Sequence, residues 1–360
     1  MWRVRFSCVP FLRGVPDVPY APTAPSRSRA RARSLAGMVV ACGGEEASAS
    51  ADAPAGQSFT LKVYDPGNSG AIAVGKRDGD FDRALAPLGA KIEWVKTTPG
   101  FSSNLKLFNT GELDIQTGAY SPVVGALSKD VGVRIFATSD PYNKDQSGIV
   151  ATAASGISSL EDLKGKRVAV NPAAKGEYIV LKALTEANIP IDSVERVPLQ
   201  QTDAASAFST GQVDAWASFL APYQEAKAKG AKEIVTEGDI KSVDNTIIAG
   251  RTAVLQEHPE VVQKFLEVTK DLTRRQRENP AAFENVFEQA GPRALSGQRL
   301  DDAIALGGQV TDFRYPTAAD EADLQSVADL FYRNGVIQRQ LTAADLTFDL
   351  QGAAASKPGA

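Results

Sequence analysis

The stretch LFNTGELDIQ at residues 107–116 returns as AFSTGQVDAW at residues 207–216, an offset of 100 positions. The two copies share Phe108/Phe208, Thr110/Thr210, Gly111/Gly211 and Asp114/Asp214, and a proline recurs at Pro122 and Pro222. Each copy reads as a helix closed by glycine, a short strand, and a loop whose proline suits the first turn of the next helix. Upstream, KIEWV (91–95) and VERV (194–197) align as the preceding strands. One βαβ unit used twice implies two similar lobes.

Working outward, β-branched runs alternate with helix-length segments from Ser58 onward. The predicted strands are 59–65, 91–95, 113–117, 133–138, 166–170, 194–199, 213–218, 233–235 and 245–250. This is the pattern of an α/β protein with mainly parallel sheets. From His258 on, the chain reads as nearly all helix, including PEVVQKFLEVTKDLTRRQREN, PAAFENVFEQA, LSGQRLDDAIALG and ADEADLQSVADLFYRNG. These helices need a sheet to pack on, so the C-terminal third is expected to return to the first lobe.

Composition narrows the function. The chain has 360 residues and a net charge of −4, but seven of its arginines and only one acid (Asp17) fall in the first 42 residues. Residues 43–360 therefore carry 32 bases and 42 acids, a net −10 that argues against nucleic-acid binding. A single histidine (His258) and two cysteines (Cys8 and Cys42) all but exclude a His/Cys metal centre, a cysteine nucleophile or a histidine dyad. No metal or cofactor is expected. No apolar run approaches the ~18 residues of a membrane span, and no phosphate-binding glycine motif occurs.

Residues 1–57 read as signal, extension and linker: Arg/Pro-rich through RSRARARS, then LAGMVVAC, then small and acidic residues. That order resembles a bacterial lipoprotein signal with Val39-Val40-Ala41 before an acylated Cys42. The competing account is a disordered tail with a chance Ala-Cys. Lipidation would tether the folded body to the outer face of the membrane through a flexible linker.

Two such lobes bring strand C-termini and helix N-termini to one crevice, where ligands of open α/β sheets bind and where free N–H groups favour an anion. The loops placed there are 66–70, 98–100, 118–121, 171–177, 202–203 and 218–221. At these loops the sequence resembles the substrate-binding proteins of ABC importers for aliphatic sulfonates, taurine and nitrate. The resemblance runs from about Thr60 to Asp345 and is carried by SSLEDLKGKRVAV, YIVLKALTEANIPIDSVERV, DAASAFSTGQVDAWA and SVADLFYRNGVIQRQL. It implies a two-lobed type II periplasmic-binding-protein fold with a cleft between lobes and two hinge crossovers, near 148–152 and 244–250. The expected division is 58–147 plus 246–345 for lobe 1, 148–245 for lobe 2 and 346–360 as a tail.

The resemblance further implies a periplasmic monomer that captures a small organic anion by lobe closure and hands it to a membrane permease with its ATPase. Nitrate, pyrimidine-type and aromatic-carboxylate ligands are alternatives on the same fold. A desulfinase-like enzyme would need a cysteine in the crevice, and none follows Cys42. The chain departs from the family at Lys175-Gly176-Glu177, where members often have Ser-Ala-His, and at Leu220-Ala221-Pro222-Tyr223, where they often have Trp-Asp-Pro-Tyr.

The candidate ligand contacts are Asn68, Ser69, Gly70, Gly100, Tyr120, Ser121, Lys175, Gly176, Glu177, Trp216, Phe219 and Asn245. Ser69 and Ser121 could equally be helix N-caps. Lys175 opposes the dipole at its helix start, so it needs a negative partner, which could be the ligand, Glu177 or solvent. Trp216 reads as pocket wall or lobe core. Arg314 is read as solvated over a packed Tyr315, and the run Arg274-Arg275-Gln276-Arg277 as a solvated helix face.

Overall fold

A computed structural model describes residues 58–142 and 144–357. The segment 1–57, with Cys42 and its expected lipidation, lies outside the described residues.

Among the described residues, eleven strands form two sheets. The first contains β1 (Phe59–Tyr64), β2 (Ala90–Val95), β3 (Ile115–Ala119), β4 (Val133–Ser139), β10 (Thr246–Arg251) and β11 (Phe313–Arg314), in the order β11-β4-β10-β3-β1-β2. The second contains β5 (Ser147–Ala151), β6 (Arg167–Val170), β7 (Glu195–Pro198), β8 (Ala215–Phe219) and β9 (Lys232–Thr236), in the order β7-β6-β8-β5-β9. Three parallel strands stand side by side in each, β2-β1-β3 and β7-β6-β8. Two antiparallel strands complete the pattern, β10-β4 and β5-β9. The second sheet thus repeats the first, apart from the added β11. The chain passes between sheets over 140–146 and back over 237–245. These crossovers come a few residues before the segments expected from sequence, which are instead β5 and β10, central strands of the two sheets.

The repeated motif has a physical basis. Asp114 donates its N–H to Lys62 O (2.8 Å) and accepts the Lys62 N–H on its carboxylate (3.0 Å). Asp214 does the same with Arg167, at 2.9 Å both ways. The preceding glycines take left-handed angles, φ 69° at Gly111 and 70° at Gly211, and their carbonyls accept from Lys62 Nζ and Arg167 Nη2. Because a side chain makes the first ladder bond in each copy, β3 and β8 begin just after the aspartate, two residues later than predicted.

The long helix Pro259–Glu278 lays Val262, Phe265, Leu266 and Leu272 against helices Ala71–Asp78 and Asp80–Leu85 of the first lobe. Helix Ala318–Arg333 packs on Tyr120–Leu127 of the first lobe and also touches Lys175–Glu186 of the second. Helix Tyr120–Leu127 is buried along its whole length at this junction. Gly125 permits the approach, since a Cβ there would lie 1.9 Å from Ala173 O. The segment 346–357, expected as a tail, is folded: Leu350 is buried, and helix Leu350–Ala355 packs on Pro259–Glu278.

One predicted helix fails. PAAFENVFEQA makes a single turn, Pro280–Phe283, and then leaves helical geometry with Asn285 at φ 52°. Asn68 Oδ1 takes the N–H groups of Phe287 and Glu288, and Asn285 takes that of Leu295, so amide side chains replace the helical carbonyls.

Candidate functional site

Between the sheets lies a cleft of about 600 Å³. Its first-lobe wall is made by the ends of β1 and β3 and the loop 97–102; its second-lobe wall is made by Asn171, Lys175, Gln201 and residues 219–222. Tyr64, Phe101, Tyr142, Phe219 and four prolines give it an apolar lining. Burial pushes the Tyr64 phenol up to about 12, so its hydroxyl stays protonated.

Two helices start at this cleft without a side-chain cap, Gln201–Ser209 and Leu220–Ala228. Leu220 is held at φ 57° and is 62% exposed, a strained, open position at the rim. Gln116 and Gln201 line the cleft and are more than nine-tenths buried. Gln116 Oε1 and both polar atoms of Gln201 lack hydrogen-bond partners among the described residues. An unpaired buried amide costs ~1–3 kcal/mol, so these groups await a polar ligand or water.

Of the predicted contacts, Gly100, Lys175 and Phe219 border the cleft. Ser69 and Gly70 border a smaller polar chamber that adjoins it. The N–H of Gly70, expected to be free for an anion, donates to Phe283 O.

The remaining predicted contacts serve the framework. Asn68 pins the 285–293 loop. Tyr120 is buried, its hydroxyl against Thr138 and Asn245; Asn245 is buried too. Ser121 gives both its N–H (2.7 Å) and hydroxyl (2.6 Å) to the Asp244 carboxylate, which occupies the place an anion would take. Gly176 N donates to Asn171 Oδ1, while Glu177 accepts from Ala173 N and from Arg196. Trp216 packs on Phe208 in the second-lobe core.

Lys175 has the negative partner its position demanded, but that partner is internal. Its Nζ lies 2.9 Å from Glu237 Oε1 and 3.5 Å from Asp244 Oδ2, both on the return crossover. Burial works against its charge, yet the two carboxylates outweigh it and its pKa is raised. Asp244 is also raised, by burial and by Glu237, with Lys175 opposing. Among the described residues the one other charged group lining the cleft, Asp65, pairs with Lys76 at 2.9 Å. The cleft thus presents a ligand with dipoles and amides, with its cation already neutralised.

Arg314, read as solvated, bridges Asp140 and Asp320. Sequence reasoning missed Gln116 and Gln201, and had Leu220 only as part of the loop 218–221 and not as a contact. Leu220 and Gln116 fall inside or beside the repeat, at the offsets of Tyr120 and Trp216, which was the available signal. Among the described residues no cluster of acids, histidines or cysteines could hold a metal, and no helix is long and apolar enough to cross a membrane.

A doubled α/β lobe with a dipole-lined cleft defines a two-lobed solute-binding architecture. Residues 89–282 match the NMT1/THI5-like family model, and the chain belongs to that family. It is 27% identical over 295 residues to a Bacillus subtilis (strain 168) protein named for binding aliphatic sulfonates, covering 76% of this chain and 87% of that one. It is 29% identical over 227 residues to the taurine-binding periplasmic protein of Escherichia coli (strain K12), covering 61% and 68%. Its fold is that of the alkanesulfonate-binding protein SsuA from Xanthomonas axonopodis pv. citri, solved bound to MOPS. There the TM-score is 0.70 and the identity 18%, covering 81% of this chain and 99% of that one.

Proposed function

We propose that this protein is the extracytoplasmic solute-binding component of an ABC importer, capturing an alkanesulfonate- or taurine-like molecule between its lobes. The carrying observation is the cleft itself, where Gln116 and Gln201 stand buried and unpaired beside two uncapped helix starts. The polar groups of the ligand would be met by the N–H groups and amides around the cleft, and its carbon chain by Phe101, Phe219 and the prolines. Closure over the crossovers at 140–146 and 237–245 would seal the ligand and offer the closed form to a permease. The relatives named for sulfonate and taurine binding support this reading. In this role the chain binds and delivers; it performs no chemistry.

A thermal-shift screen over sulfonates, sulfate esters, nitrate and carboxylates tests it. A ligand at a hundred times its Kd adds about 2.7 kcal/mol of stability and raises the melting temperature. Sulfonates are expected to give the largest shifts. A shift confined to nitrate, carboxylates or neutral heterocycles would overturn the sulfonate reading.

A further inference from the structure

Adjoining the cleft is a second chamber of about 200 Å³ that shares Tyr64, Pro66, Thr117, Tyr142 and Thr246 with it. Its lining includes no charged residue. Its back wall is a polar stripe on the otherwise apolar inner face of helix Pro259–Glu278: Thr269, Thr273 and Gln276, all buried. The two threonine hydroxyls donate to carbonyls of their own helix, at 2.8 Å each. Gln276 and Ser139, both buried residues, border the chamber, and neither side chain forms a hydrogen bond among the described residues. Neighbouring Arg274, Arg275 and Arg277 turn away to pair with acids, so Gln276 is the member of that run facing inward.

The opposite side of the chamber is the start of helix Ala71–Asp78, which no side chain caps. The N–H groups of Ala71, Ile72 and Ala73 precede its first intrahelical bond, from Val74 N to Gly70 O. The chamber therefore brings a helix N-terminus together with an amide and a hydroxyl that form no other hydrogen bond among the described residues. Three kinds of neutral donor converge on a space about a third the size of the cleft. An oxyanion with three acceptor oxygens would bond all three kinds of donor at once.

We infer that this chamber receives the oxyanion head group of the ligand, with Gln276 as its side-chain donor and specificity-determining residue, while the rest of the molecule, with any second polar group, lies in the cleft beside Gln116 and Gln201. This rests on the sulfonate-binding reading above.

Isothermal titration of the full chain with 1-butanesulfonate at pH 8 tests it. Gln276→Met conserves volume and removes the amide, so affinity is expected to fall roughly ten- to hundredfold, with the ligand-free melting temperature little changed. Gln276→Glu should abolish measurable binding, because a carboxylate then faces the head group. Should that variant fail to fold, Ser139→Ala replaces it, with an expected loss of about tenfold. Wild-type affinity in Gln276→Met and Ser139→Ala would overturn the chamber assignment while leaving the sulfonate reading intact. A wild-type protein that binds no sulfonate would overturn both.

Discussion

Tyr120-Ser121-Pro122 and Leu220-Ala221-Pro222 occupy the same place in the two copies of the repeat, each opening a helix after a central strand. Their fates are opposite. In the first lobe Tyr120 is buried and Ser121 is stoppered by Asp244, so the helix start has become part of the brace between lobes. In the second lobe Leu220 is exposed and strained, and the helix start stands open at the cleft. Duplication supplied two anion-receptive termini, and an internal carboxylate has taken one of them. The ligand is left with the second lobe's termini and with what the chamber adjoining the cleft provides.

The sharpest way to break this comparison is one substitution at both positions. Tyr120→Gly removes a fully buried aromatic and should cost about 3–5 kcal/mol. Leu220→Gly relieves a left-handed residue worth about 1–2 kcal/mol, offset in part by the greater freedom of glycine in the unfolded chain. It is expected to be neutral or stabilising by up to about 1 kcal/mol. Urea unfolding of both variants would check this, and destabilisation of similar size at both sites would show that the two starts are equivalent after all.

Lys175 gives the next largest effect. Lys175→Ala leaves Glu237 and Asp244 facing each other without a cation in a buried site, and should cost about 3 kcal/mol. With the ligand or solvent as its partner instead, Lys175 would stand on a solvated cleft wall, where its removal would harm binding and spare the fold. Guanidinium melts of this variant decide between them, since a loss below about 0.5 kcal/mol would restore the solvated-wall view.

The paired aspartates separate the lobes more finely. Asp114 is buried and also takes Arg251 Nε at 2.9 Å from the returning strand β10. The side chain of Asp214 is 27% exposed and is served by Arg167 alone, on the neighbouring strand. Asp114→Ala should therefore cost about 2–3 kcal/mol and Asp214→Ala about 1 kcal/mol, read as shifts in urea midpoint. Equal losses would mean that the brace from β10 adds nothing.

These contrasts explain what could be read from the sequence. The sheets were legible because the Thr-Gly-x-x-Asp turn is a local device: glycine geometry and an aspartate capturing the next strand lie within a few residues, twice over. The site was legible only as a set of loops. Lys175 finds its partners 62 and 69 residues away, and Ser121 meets Asp244 from the far side of a whole lobe, so neither pairing leaves a spacing to recognise. Gln116, Gln201 and Gln276 carry no charge and belong to no motif. They stand out only when burial is known and their partners are found missing. The Phe283–Glu288 loop was read as helix because its apolar spacing fits one, while the amides of Asn68 and Asn285 that undo it act from outside the period.

The smallest effect concerns two carboxylates of the first lobe that titrate in opposite directions. Asp320 is lowered to about 2: burial works against it, but Arg314 and the Thr317 cap outweigh that cost. Its contribution is fully present above the ordinary aspartate value of 3.8 and is lost as pH falls toward 2. Glu284 is raised to about 7, with burial as the cause. A carboxyl that holds its proton more tightly when folded favours the native state at low pH. Its penalty is absent below the ordinary value of 4.5, grows between 4.5 and about 7, and is complete above that. Glu284→Gln should leave stability at pH 4 unchanged and raise it at pH 8 by no more than about 1 kcal/mol, since solvent still reaches this half-buried group. Urea midpoints for wild type and variant across pH 4–8 would check it. Two parallel curves would mean that Glu284 is as well solvated in the folded protein as in the unfolded chain.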